Sequence, residues 1–168
     1  MKRHYLLIAN LVLAAAAAHA GPKAVPASDA AAFARLKTLV GEWEGDTRMG
    51  KGHLSYELIA GGTALVEKES AENMPAMLTV YHLDGDRLLL THYCMAGNQP
   101  RMRARAFDTE SGQLEFEFLD GTNLPAGAGH MHNAKLRFVD KDHITTEWSF
   151  YENDAQKFSE TAEYRRVR

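Results

Sequence analysis

The 168-residue chain, 45% apolar and 24% charged, is long enough for one domain with a sizeable core. Its net charge of −3 disfavours nucleic acid or an anionic lipid surface as partner. A single cysteine excludes an internal disulfide, so stability must come from apolar packing.

The chain begins MKRHYLLIANLVLAAAAAHA, with Lys2 and Arg3, an apolar run from Tyr5 to Ala18, and Ala18-His19-Ala20 before Gly21. That order is a signal peptide with an A-x-A cleavage site. The run falls short of the roughly 20 residues that span a bilayer. Residues 1–20 are therefore expected to be removed on export to the periplasm or beyond. The mature chain would carry 17 basic and 22 acidic residues, a net charge of −5. Residues 21–27, GPKAVPA, read as a linker, and 28–168 as a single domain.

Ser28 offers an N-cap to one short helix, in which Phe33, Leu36 and Val40 form an apolar stripe. Beyond Gly41 the period changes from 3.6 to 2. Leu54, Tyr56 and Leu58 alternate with Ser55 and Glu57; Met102, Ala104 and Ala106 alternate with Arg101, Arg103 and Arg105. Leu114, Phe116 and Phe118, then Ala134, Leu136 and Phe138, then Ile144, Trp148 and Phe150 continue the pattern. Such alternation marks antiparallel sheet with one dry and one wet face. Turn residues at Gly61-Gly62, Asp84-Gly85, Ser111-Gly112 and Lys141-Asp142 separate about ten strands.

Short connections between successive strands predict an up-and-down antiparallel β-barrel, because closure removes exposed edges. A two-sheet β-sandwich is the alternative. A turn across Asp108–Gly112 would set Arg103 opposite Glu117 and Arg105 opposite Glu115 on the outer face. A turn at Asp84-Gly85 would pair Tyr81 with Leu88, Thr79 with Leu90 and Met77 with His92. Both faces of the strand around Leu88–Cys94 are apolar; the face of His92 and Cys94 is taken as the inner one.

Leu39, Gly41, Trp43 and Gly45, following a short helix, resemble the opening of calycin-type barrels, where a Gly-x-Trp packs beneath the barrel. The strand count is similar to that of the nitrobindin and fatty-acid-binding branches. Nitrobindins hold haem through a histidine before a last strand that ends in paired arginines. Here Arg165 and Arg166 supply the arginines, but Ser159 stands at the ligand's position and no histidine lies between Phe158 and Arg168. The resemblance thus implies the barrel without haem, and no cofactor is expected. Fatty-acid-binding barrels clamp a carboxylate with arginines and a tyrosine, roles that Arg165, Arg166 and Tyr164 could take.

The residues expected to meet a ligand in the lumen are Tyr56, Tyr81, His92, Met102, Ala104, Phe116, His132 and Trp148. His92-x-Cys94 and His130-x-His132 contain metal-ligand types, but on strands three apart, and no metal site is assigned. No G-x-S-x-G or phosphate-binding glycine loop is present, and no catalytic residue is assigned. The mixed apolar lumen suits capture of a small apolar or amphipathic molecule. Two other readings stand beside it: a pocket isomerase or hydrolase using His92, Tyr81 or His132, and an envelope interaction protein with a filled barrel.

Overall fold

The computed structural model describes residues 27–167. The expected signal peptide, residues 21–26 of the linker and Arg168 lie outside the described residues. The elements are α1 (Asp29–Lys37), β1 (Gly41–Thr47), β2 (Gly50–Ile59), β3 (Ala64–Ala71), β4 (Met74–Asp84) and β5 (Arg87–Tyr93). They continue as β6 (Gln99–Asp108), β7 (Gln113–Thr122), β8 (His130–Phe138), β9 (His143–Glu152) and β10 (Ala155–Arg166). The strands form one closed antiparallel barrel in which each pairs with its sequence neighbour and β1 meets β10. This is the up-and-down barrel, not the sandwich. No edge is left to template aggregation.

Helix α1 starts where Ser28 Oγ accepts a hydrogen bond from the Ala31 N–H at 3.2 Å. Its buried side chains are Ala32, Phe33 and Leu36. The expected stripe does not extend to Val40, which lies beyond the end of α1 and is 43% exposed; Leu39 is buried instead. The Asp29 carboxylate accepts from the Leu88 N–H at 2.7 Å, and Arg35 lies over the Phe138 ring. These contacts set α1 against the end of the barrel that holds the β4–β5, β6–β7 and β8–β9 turns.

Trp43 packs at that closed end, 1% exposed, its indole N–H donating to the Leu39 carbonyl at 2.8 Å. Arg166 of β10 stacks on the Trp43 ring and donates to the carbonyls of Val40 and Thr38, both at 2.8 Å. One arginine therefore joins the last strand, the first strand and the C-terminal end of the helix, where cations are favoured.

Two details of register depart from expectation. The β4–β5 turn places Asp84 opposite Arg87, so Tyr81 faces Leu90 and Thr79 faces His92. The loop is Gly85-Asp86, one residue later than expected, because Gly85 takes the left-handed φ of +63°. On β6 a bulge falls between Ala104 and Ala106. It turns Ala106 outward against Glu115 and sends Phe107 into the core against Leu114. Arg103 does face Glu117, at 2.7 Å; Arg105, although displaced, still reaches Glu115 at 3.7 Å. Leu58, expected inside, is 38% exposed near the end of β2.

Candidate functional site

The lumen is divided. Its half nearest α1 is filled by Leu54, Leu65, Leu88, Leu90, Met102 and Leu114, each at most 2% exposed. Toward the other end a cavity of about 200 Å³ remains, bounded by residues from the β1–β2, β3–β4, β5–β6 and β9–β10 ends of the strands. A depression of about 880 Å³ over the outer faces of β1, β9 and β10 is larger, but Glu44, Asp46, Lys51 and Arg137 line it. The inner cavity is the better enclosed and the more apolar, and it has the character of a ligand site.

Its walls carry five methionines, Met49, Met74, Met77, Met95 and Met131, with Cys94 beside them. Trp148, Phe150 and Phe158 supply aromatic faces, the last two stacked at 5.0 Å. Thioethers on unbranched stems adapt to the shape of what they hold. The polar groups are few: His92, Thr47, Thr146, Tyr164, Glu69 and Glu160.

His92 is 1% exposed, and its Nδ1 lies 3.0 Å from Thr79 Oγ1, the cross-strand partner created by the β4–β5 register. Its ring packs against Trp148 at 4.9 Å. Nε2 is buried and has no hydrogen-bond partner. Burial pushes the imidazole down to about 4, so it is neutral.

Two glutamates of β3 point inward, an inversion of the usual arrangement. Glu67 is 3% exposed and accepts from the Tyr81 hydroxyl at 2.8 Å. The Tyr56 hydroxyl turns toward the same carboxylate without completing hydrogen-bond geometry. Burial raises the Glu67 carboxyl, while the hydroxyls pull it back. Glu69, one step nearer the opening, is pushed up to about 8 by burial first and then by Glu67 and Glu160; the Tyr164 hydroxyl opposes this. Glycine makes the reach of Tyr164 possible. A Cβ on Gly45 would sit 2.7 Å from the Tyr164 ring, and one on Gly52 would sit 3.3 Å from it.

Of the eight residues expected in the site, His92 and Trp148 line the cavity. Tyr56, Tyr81, Met102 and Phe116 point inward but belong to the packed half, each at most 4% exposed. Ala104 is partly buried opposite Phe116, packed against the core and away from the cavity wall. His132 lies in a separate rim cluster: His130 Nε2 is 2.9 Å from His132 Nδ1, and Phe118 and Tyr151 stack on His132 at 4.9 and 4.3 Å. The expected carboxylate clamp is not formed. Arg166 is held at the closed end, Arg165 pairs with Glu44 outside, and no Lys or Arg lines the cavity.

Glu67, Glu69 and Thr79 were missed because a buried polar residue on a strand mimics a solvent-facing one. A signal existed in the spacing of Leu65, Glu67 and Glu69, which share one parity on β3. Among the described residues, no group of three or more His, Cys, Asp or Glu is arranged to hold a metal.

No protein-family model matches the sequence, and no curated protein matches it. Among solved structures, the barrel is similar to a crystal structure of a protein of unknown function from the DUF3598 family of Nostoc punctiforme, with a TM-score of 0.54 and 16% identity. The match covers 79% of this chain and 49% of that one, so the chain spans about half the length of this neighbour. That likeness is one of fold alone.

Proposed function

We propose that this barrel binds one small, largely apolar molecule in the cup at its open end, as an exported binding protein of calycin type. The observation that carries the reading is the division of the lumen, filled by buried side chains below and left as an apolar cavity of about 200 Å³ above. An apolar cavity of similar size engineered into another protein, on the order of 150 Å³, stays dry and takes benzene. The occupant is thus a compact molecule or one end of a longer one.

The buried Trp43 under the barrel, latched by Arg166, fits the calycin-type opening in the sequence. Haem fits poorly. Ser159 is engaged with Ser149 at 2.9 Å on the outer face, where no axial ligand could reach the lumen. Export rests on residues 1–20 of the sequence. Among the described residues, no helix is long and apolar enough to cross a membrane.

A pocket enzyme is less well supported. A nucleophilic pair needs a thiolate beside a charged imidazole. Here burial raises the Cys94 thiol and keeps His92 neutral, the opposite polarisation.

The test uses tryptophan fluorescence with Trp43→Phe as background, leaving Trp148 in the cavity wall as reporter. Benzyl alcohol and similar small aromatics are expected to saturate the signal at one per chain. A mass spectrum of the native protein should show the same stoichiometry. Absence of saturable binding for every small apolar probe would sink the reading.

A further inference from the structure

We infer that the cavity selects a molecule with a cationic amine at one end and a compact apolar body, the amine seated between Glu69, Glu160 and His92. The inference rests on the binding reading above and names the ligand's chemistry. The cavity wall offers two carboxyl groups and no cationic side chain among its described lining residues. Glu69 and Glu160 carry carboxylates at its wall, Glu67 lies on the same face of β3 one step deeper, and no lysine or arginine is among the lining residues. The Arg48 guanidinium lies over the Phe158 ring, 5.8 Å from its centroid; the hydrogen bond from Arg48 to Glu160, at 3.3 Å, is made by its backbone N–H.

A second, independent feature points the same way. His92 is almost wholly buried in the cavity wall, yet its Nε2 has no partner. The Nδ1 contact with Thr79 Oγ1 fits either tautomer; an arriving N–H donor selects the one with the proton on Nδ1, in which Nε2 presents a lone pair. A buried acceptor left unpaired is costly, so a donor arriving there gains more than it would at the surface. An ammonium group brings three donors and one positive charge. It matches two carboxylates and one imidazole lone pair, and it supplies the cation that the buried acids lack. The rings of Trp148 and Phe150 add cation–π attraction for an amine, and with Phe158 they shelter an apolar body. An anionic ligand would meet Glu160 and, above about pH 8, an ionised Glu69, with no lysine or arginine among the described lining residues to pair with it.

Three isosteric probes separate the claims: 2-phenylethylamine, 2-phenylethanol and phenylacetate, titrated by calorimetry at one pH and salt concentration. The amine is expected to bind at least tenfold more tightly than the alcohol, and phenylacetate not measurably. Glu69→Gln with Glu160→Gln should bring the amine down to the alcohol's affinity in the same variant, and an unchanged circular dichroism spectrum shows that the barrel survives. Equal affinity for amine and alcohol, or an amine preference that persists in the double variant, overturns the amine assignment while the binding cup stands. Failure of all three probes to bind overturns both.

Discussion

Glu69 and His92 are ionisable groups placed where charge is unwelcome, and they act on stability in opposite pH windows. The Glu69 carboxyl titrates near 8 in the fold and near its ordinary 4.5 when unfolded. Across that interval the folded chain holds the extra proton, so stability declines as pH rises. His92 titrates near 4 in the fold against an ordinary 6.5, so its contribution is lost as pH falls through that range. The two effects oppose each other between about 4.5 and 6.5; from about 6.5 to 8 the Glu69 effect continues without His92, and the buried Glu67, also raised, acts in the same direction. Thermal unfolding is therefore expected to show the melting temperature falling from pH 6.5 to 8 in the wild type and falling less steeply in Glu69→Gln. An unchanged slope in the variant would remove Glu69 as the cause. Bound 2-phenylethylamine should also raise the melting temperature more at pH 8 than at pH 6.5, since the ligand's charge replaces the missing partner.

At the level of strands, β1 and β2 succeed by what they omit. Gly45 lies opposite Tyr164 in the seam, and a Cβ there would come within 2.2 Å of the Glu163 carbonyl oxygen, which cannot move without breaking the ladder. Gly45→Ala is expected to cost about 1–3 kcal/mol in urea unfolding, as overpacking does, and to displace Tyr164 from Glu69. The same strands explain what could be read in advance. Leu54, Leu114 and Leu136 alternate cleanly with polar neighbours, so β2, β7 and β8 were legible; the inward face of His92 was not, because both faces of β5 are apolar. The β6 bulge was not, because Ala104, Arg105 and Ala106 keep perfect alternation while the backbone slips by one residue. The cavity was the hardest part to see. Its methionines come mostly from strand ends and turns, where period carries no information, and its acids occupy positions that read as solvent-facing. Parity identifies which residues point inward, but not which half of the lumen they fill.

For the whole molecule, closure depends on a single pair of strands that are remote in sequence. Arg166 bridges that seam to the helix with a stacking contact and charge-assisted hydrogen bonds. Arg166→Ala is expected to destabilise the fold by about 2–3 kcal/mol, the scale of hydrogen bonds to a charged group, and to alter Trp43 fluorescence without changing probe affinity at the far end. A loss of binding equal to the loss of stability would mean that the two ends are not independent. The seam also has a consequence in time. Trp43 pairs with Arg166, so β1 is made before the other strands of the barrel and its partner after them. Until β10 arrives, the nascent sheet carries two open edges and an uncovered indole, and every added hairpin lengthens the wait. Such late, non-local closure slows folding and exposes the chain to mispairing. Folding that is delayed until β10 has been made lets both edges meet in the same event.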